Sequence, residues 1–198
     1  MILRRIFEEK RGGFFVDIGA HHPYRFSNTY LFYKQGWKGL NIDAMPGSMG
    51  VFCKKRPRDI NIEIGVGEEN CELKYYIFNE PALNGFSKEL SNNREKNDDP
   101  YRIIQTKIIK VKPLVEILDE YLPQNQIMDF MSIDVEGKDL SVLRSNNWEK
   151  YRPQFVLVEI LESSLNDLKQ NPVKEFMVNQ GYEIFAKSMN TVFFRDRK

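Results

Sequence analysis

Short apolar runs alternate along the chain with segments whose apolar residues recur every three or four positions. Five of these runs predict buried strands, at residues 14–18, 39–43, 60–64, 129–134 and 154–160. Helical patterns lie between and after them, from Ser27 or Asn28 to near Gly36 and at residues 47–55, 113–121, 138–146 and 172–179. Such alternation is typical of a parallel sheet with helices on both faces.

The end of the chain has a different pattern. Residues 182–187 and 191–195 read as two strands, and the turn that joins them is so short that they must run antiparallel. About five parallel strands followed by an antiparallel hairpin are the layout of the Rossmann-like class I methyltransferase fold, an α/β fold with a mostly parallel seven-stranded sheet. We therefore predict this fold, in a single domain over residues 1–198.

The middle of the chain is less regular. Residues 72–78 and 103–112 predict accessory strands. The polar stretch from Ser87 to Pro100 predicts a mobile loop or a frayed helix, so that residues of about 79–102 form a lid or an insertion.

Composition limits the classes of partner and compartment. With 29 Lys and Arg against 28 Asp and Glu, the net charge of +1 gives no reason to expect a nucleic-acid partner, and we interpret the basic run at residues 54–58 as a solvated helix end.

Cys53 and Cys71 lack zinc or disulfide spacing. Residues 1–5 are too charged for a signal peptide, and no apolar run approaches the ~20 residues that a membrane span needs. We expect a cytoplasmic protein; its oligomeric state is not indicated.

Acidic residues lie at the predicted ends of three strands, where open α/β sheets bind ligands. They are Asp17, Asp43 and Asp134. The turn from Gly19 to Pro23 lacks the second and third glycines that a dinucleotide pyrophosphate requires, and Asp17 would repel that group. A cationic sulfonium-amino acid suits the turn better. We therefore predict S-adenosylmethionine as cofactor, with Asp17 orienting its amino group, Gly19 approaching the methionine portion and Asp43 accepting the ribose hydroxyls. The remaining predicted contacts are Ala20, His21, Ala44, Gly65 and Asp134.

Methyl transfer to a hydroxyl needs a base or a metal that acidifies it. Asp134 is the first candidate for the base, and His21 and His22 are alternatives because histidine titrates near neutral pH. Asp134 and Glu136 are expected to face the cleft together, since alternate residues of a strand point the same way. The predicted acceptor contacts are Glu136, Glu159, Asn79 and Asn84. Asp134 and Glu159 are also the candidates for binding a Mg²⁺ ion together. We favour a metal-bound hydroxyl less than a general base.

Four segments together resemble the FkbM family of methyltransferases, over residues of about 12–161. They are Phe15-Val16-Asp17-Ile18-Gly19-Ala20, Asn41-Ile42-Asp43-Ala44-Met45-Pro46, Ser132-Ile133-Asp134-Val135-Glu136-Gly137-Lys138-Asp139 and Val142-Leu143. The resemblance implies a methyltransferase that depends on S-adenosylmethionine and acts on hydroxyls of sugars or natural products. An Asn commonly follows the Gly-Ala pair in the family, whereas this chain has His21-His22-Pro23.

Other functions stay open at this point. A small-molecule or saccharide hydroxyl is the favoured acceptor, with N-methylation or a peptide or lipid-linked acceptor as alternatives. An NAD(P)-dependent sugar oxidoreductase is disfavoured by the missing glycines. A non-catalytic binding module is disfavoured by the retention of Asp17, Gly19, Asp43 and Asp134.

Overall fold

Two sheets organise the part of the chain that the structure, a computed structural model, describes: residues 2–97, 100–161, 164 and 166–198. The strands are β1 (Phe14–Ile18), β2 (Lys38–Asp43), β3 (Ile60–Glu63), β4 (Gly65–Val66), β5 (Cys71–Phe78), β6 (Ile103–Lys112), β7 (Phe130–Ile133), β8 (Phe155–Glu159), β9 (Tyr182–Ser188) and β10 (Thr191–Asp196). The helices are α1 (Ile2–Ile6), α2 (Tyr30–Lys34), α3 (Ser48–Lys55), α4 (Lys88–Asn97), α5 (Leu114–Tyr121), α6 (Asp139–Arg144) and α7 (Pro172–Asn179), with 3₁₀ turns at Pro81–Leu83 and Asp167–Gln170.

The larger sheet has seven strands in the order β3-β2-β1-β7-β8-β10-β9. The first five strands in this order pair in parallel, and β10 pairs antiparallel with both β8 and β9. The predicted mostly parallel seven-stranded sheet with its C-terminal hairpin is therefore confirmed. From β1 the chain extends the sheet to one side through β2 and β3, and later to the other side through β7 and β8. The boundary between β1 and β7 is where an open α/β sheet binds its ligands.

Side chains that alternate along β1 pack into two different cores. Phe14, Val16 and Ile18 join a cluster that includes apolar residues of α5, α6 and α7. Phe15 points to the other face, where aromatic side chains dominate the core. Because both faces are covered, the parallel strands are mainly apolar, and the buried Asp17 is one of the exceptions that need polar partners.

The two accessory strands do not extend the large sheet. β5 and β6 pair antiparallel, and β4 joins them in a separate three-stranded sheet. The predicted third strand ends one residue early because the chain leaves the large sheet at Ile64 to form β4. Within the polar stretch, residues 88–97 form α4, and the part of that prediction at residues 98 and 99 lies outside the described residues.

Candidate active site

A cavity of about 610 Å³ opens where β1, β2, β7 and β8 end. This volume lies in the ordinary range for a site that binds a small molecule. The carboxylates that line it are Asp17, Asp43, Asp134, Glu136 and Glu159. Gly19, Ala20, His21, His22, Ala44, Gly65 and Asn84 also line it, so that every predicted site residue except Asn79 is brought to one cavity.

The loop after β1 packs directly against the loop after β7. Gly19 has a φ of 78°, and a Cβ atom at this position would overlap the carbonyl oxygen of Asp134. The amide groups of Gly19 and Ala20 donate to the carbonyl oxygen of Ile42 at 2.9 and 3.1 Å, which ties the same loop to β2. Only glycine fits here without displacing backbone, and it leaves the main chain accessible from the cavity.

Asp43 is held in place by backbone amides. The amide of His21 donates to its Oδ2 at 2.7 Å, and the amide of Met45 donates to its Oδ1 at 2.7 Å. Burial raises the pKa of Asp43, while these amides act in the opposite direction by stabilising the carboxylate. Each oxygen keeps a lone pair that can accept a further hydrogen bond.

Asp17 lies under the loop at 5% exposure. The hydroxyl of Thr29 donates to its Oδ2 at 2.7 Å. Burial raises the pKa of Asp17 to about 6, even though the Thr29 hydrogen bond and the charge of Arg56 both lower it. Asp17 is therefore mostly ionised at pH 7, and its negative charge attracts a cation.

Three carboxylates form a cluster beside these residues. Asp134, Glu136 and Glu159 each offer an oxygen, and these oxygens lie within 4.8 Å of one another. Burial, followed by repulsion from Glu159 and Glu136, raises the pKa of Asp134 to about 8. Burial also raises the pKa of Glu159, to about 7. The cluster therefore exchanges protons near neutral pH, which a general base requires.

A tight turn brings Asp134 and Glu136 together. Both oxygens of Asp139 accept backbone hydrogen bonds in this turn, from Val135 at 3.1 Å and from Gly137 at 3.2 Å. Glu136 has a φ of 55°, so the backbone is not extended there. Both side chains line the cavity as predicted, but the turn rather than strand alternation is the cause. Asp139 was not predicted as part of the site, although it is an acid in the first turn of α6, where the helix dipole favours a negative charge.

Ion pairs fix two further walls of the cavity. Arg94 on α4 pairs with Glu136, with 2.5 Å between Nη2 and Oε2. Arg25 pairs with Glu80 through two bonds of 2.9 and 2.8 Å, joining the loop after β1 to the segment after β5. Sequence reasoning missed both arginines, because their partners lie more than forty residues away in the chain.

The two histidines have different environments. Nδ1 of His22 accepts hydrogen bonds from the amides of Tyr24 and Arg25, both at 3.1 Å, so this ring shapes the turn and keeps only Nε2 for a ligand. Nε2 of His21 is buried and has no hydrogen-bond partner among the described residues. Burial, followed by the charge of Arg25, lowers the pKa of His21, which keeps the ring neutral at pH 7.

The two predicted amides serve the fold more than the cavity. Asn79 is set apart from the cavity, contrary to expectation, because its amide closes the end of the β5–β6 pair: Nδ2 donates to the carbonyl of Pro100 and Oδ1 accepts from the amide of Arg102, both at 3.0 Å. Asn84 does line the cavity, but its Oδ1 accepts from the amide of Phe78 at 2.8 Å.

One basic residue corrects the sequence interpretation. Arg56 belongs to the run at residues 54–58 that was expected to be solvated, yet its side chain is fully buried. Its Nε donates to Asp59 at 2.8 Å and its Nη1 donates to the Thr29 hydroxyl at 3.0 Å.

Among the described residues, no helix has the length and apolar character needed to cross a bilayer.

Comparisons with known proteins relate the chain to methyltransferases by one family model. A family model described as the methyltransferase FkbM domain matches residues 17–184. Among solved structures, monomeric WbdD is 11% identical with a TM-score of 0.46, and the match covers 98% of this chain and 38% of that chain. The chain thus spans well under half of the length of WbdD. A precorrin-6y C5,15-methyltransferase from Geobacter metallireducens GS-15 is also 11% identical, with a TM-score of 0.45 and coverage of 98% and 83%. No curated protein sequence gives a significant match.

Proposed function

Because the chain belongs to the FkbM methyltransferase family, we propose that it transfers a methyl group from S-adenosylmethionine to a hydroxyl of a sugar or of a glycosylated small molecule. One observation carries the proposal. A single cavity is lined both by Asp17, Gly19 and Asp43 and by the carboxylates around Asp134. The first set suits the cofactor, and the second suits a hydroxyl acceptor that must lose a proton.

The residues present fit S-adenosylmethionine. Gly19 leaves its backbone open to the methionine portion, and Asp17 offers a carboxylate to the ammonium group. Asp43, fixed by two backbone amides, retains lone pairs for the ribose hydroxyls. Ala20, Ala44 and Gly65 contribute small side chains or none to the wall. When bound, S-adenosylmethionine supplies a methyl group on a positively charged sulfur, which a nucleophilic oxygen can attack.

Asp134 is the proposed general base. A sugar hydroxyl is almost un-ionised at neutral pH, so its proton must be taken up as the new C–O bond forms. Because the pKa of Asp134 is raised to about 8, only part of this group is ionised at neutral pH, but the ionised form is a stronger base than an ordinary aspartate. Glu159 lies beside it and shares its proton. Glu136 orients the acceptor. Nε2 of His21 is the second candidate, because it is buried without a partner among the described residues.

The carboxylate cluster also offers the oxygen ligands that Mg²⁺ prefers. Glu136 joins Asp134 and Glu159 in this set, which makes three carboxylates where the sequence suggested two. A cation bound there would acidify the hydroxyl instead of accepting its proton. Assays in excess EDTA separate the two roles: unchanged turnover supports the base, and loss of turnover that Mg²⁺ restores supports the metal.

The acceptor class follows from the same cluster. Carboxylates bind hydroxyl groups, which supports a saccharide, and they also bind amines, which keeps N-methylation as the alternative. We further propose that residues of about 79–102 cover the acceptor, since Arg94 on α4 already pairs with Glu136 on the cavity wall. The free thiols of Cys53 and Cys71 support a location in the reducing cytoplasm.

Thermal-shift measurements test the cofactor first. S-adenosylmethionine and S-adenosylhomocysteine should raise the melting temperature, and NAD(P)H should not. Mass spectrometry then tests the acceptor, by screening neutral sugars, aminosugars, nucleotide-sugars and lipid-linked glycans for methyl uptake. Stabilisation by NAD(P)H alone would refute the proposal, and methylation confined to amines would replace the hydroxyl acceptor with the alternative.

A further inference from the structure

A chain of buried polar groups connects Asp17 to a cation beneath the cavity. The Thr29 hydroxyl donates to Asp17 at 2.7 Å, and the same oxygen accepts from Nη1 of Arg56 at 3.0 Å. Arg56 donates to the Thr29 oxygen, the Ser27 hydroxyl lies 3.1 Å from the same oxygen, and the Thr29 hydroxyl hydrogen is directed to Asp17. Thr29 and Arg56 are both 0% exposed, so water does not compete for these bonds.

The surroundings of Arg56 keep it in one place. Its Nε donates to Asp59, whose other oxygen accepts from the amide of Gly39 on β2 at 3.0 Å. Three aromatic rings, those of Phe15, Tyr33 and Phe52, lie 5.2 to 5.5 Å from its guanidinium carbon. A buried arginine is costly unless its charge is compensated, and rings and carboxylates supply that compensation here.

The charges of Asp17, Asp59 and Arg56 do not balance. Arg56 carries one positive charge, whereas Asp17 and Asp59 carry two negative charges when both are ionised. The group therefore retains one net negative charge, and of its two carboxylates only Asp17 lines the cavity. A ligand ammonium group beside Asp17 would complete the balance.

We propose that Thr29 and Arg56 are positioning residues that hold the Asp17 carboxylate, oriented and ionised, for the ammonium group of the bound S-adenosylmethionine. The inference rests on the proposed function, since it concerns the same cofactor. It adds two residues that do not themselves line the cavity. It also assigns a role to Arg56, the buried residue of the basic run at residues 54–58.

The charges around Asp17 determine the pH dependence that should follow. Burial raises the pKa of Asp17 to about 6 overall, the Thr29 hydrogen bond and Arg56 act to lower it, and Asp43 and Asp59 act to raise it. Asp134 also interacts with Asp17. Below that pH, Asp17 becomes neutral and loses its attraction for an ammonium group. Removing the Thr29 hydroxyl should raise the pKa of Asp17 further, so the loss of affinity should begin at a higher pH.

Isothermal titration calorimetry with two probes tests this in the full-length protein. One probe is S-adenosylhomocysteine, and the other is its analogue without the α-amino group. The wild-type protein should bind S-adenosylhomocysteine more weakly as the pH falls through about 6, whereas the analogue should lack this component. Because both probes keep the ribose, titration of Asp43 affects them equally, and the ratio of their affinities isolates Asp17.

The substitution Thr29→Val keeps the shape of the side chain and removes the hydroxyl. It should weaken S-adenosylhomocysteine binding about tenfold, because Asp17 without this hydrogen bond is less ionised and less well oriented, and it should leave binding of the analogue unchanged. The matched control Thr29→Ser keeps the hydroxyl and loses a methyl group, so it should bind both probes like the wild type. Melting temperatures show whether each variant is folded.

The outcomes distinguish the inference from the proposed function. If the wild type binds neither probe, the proposed cofactor is wrong and this inference is wrong with it. If the wild type binds both probes with a ratio that does not change with pH, or if Thr29→Val weakens both equally, the positioning role is wrong while the cofactor stands. A ratio that does not change with pH in the wild type would refute the positioning role even if Thr29→Val fails to fold.

Discussion

Replacing Asp43 by Asn removes one charge and changes one acceptor into a donor. The carboxylate accepts a backbone amide on each oxygen, both at 2.7 Å. An asparagine can accept only one of them, because its NH₂ group would face the other amide donor. A hydrogen bond to a charged group contributes about 1.5–3 kcal/mol, so we expect the loops after β1 and β2 to lose an amount of that order.

The same change should weaken cofactor binding. If Asp43 also accepts ribose hydroxyls, the variant loses charge-assisted bonds to the ligand, and the Kd for S-adenosylhomocysteine should rise about 10- to 100-fold, since about 1.4 kcal/mol is tenfold. Isothermal titration calorimetry measures this directly. The matched control is Asp119→Asn, an exposed carboxylate on α5 outside the cavity lining, which should bind like the wild type. Unchanged affinity in a folded Asp43→Asn protein would refute the assignment of the ribose to Asp43.

Three further predictions concern the cavity. Asp134→Asn should lower kcat about 10²–10⁴-fold, with S-adenosylhomocysteine affinity nearly unchanged in calorimetry; loss of binding with intact turnover would reverse the assigned roles. The pKa of Asp134 is raised from 3.8 to about 8 in the folded chain, so its contribution to the free energy of unfolding falls as pH rises between these values. Asp134→Asn should therefore gain thermal stability relative to the wild type at pH 8 but not at pH 4, and an equal difference at both pH values would contradict this. Gly19→Ala should abolish S-adenosylhomocysteine binding, because its Cβ overlaps the Asp134 carbonyl and its φ is 78°; wild-type affinity would show that the loop can move.

The sequence predicts the sheet well because its evidence is local. Buried parallel strands are short apolar runs, and acids such as Asp17, Asp43 and Asp134 interrupt or follow them, so that strand and candidate site are read from the same residues. The order of strands places those ends side by side, which the alternation of elements already implied.

The remainder depends on contacts between distant parts of the chain. The sequence around Arg56 predicts an exposed cation. In the fold its guanidinium group donates a hydrogen bond to Thr29, which lies 27 residues earlier in the chain. Asn79 lies in a loop that suits a ligand, but Arg102, 23 residues later, occupies its amide oxygen. Propensity and periodicity carry no information about such partners, so sequence reasoning found the carboxylates of the cavity and missed the groups that hold them.

The charge of the cavity supports a cationic cofactor more directly than the glycine pattern does. Five carboxylates line it, and the arginine that lines it, Arg25, is paired with Glu80. Glu136 is paired with Arg94, and the Asp134–Glu159 pair retains one proton, and therefore one negative charge, near neutral pH. Asp17 and Asp43 are the carboxylates beside the loops after β1 and β2. A pyrophosphate would face uncompensated repulsion from both, whereas a ligand with an ammonium and a sulfonium group is attracted to them. The missing glycines remove the means of binding a dinucleotide, and these two carboxylates oppose it.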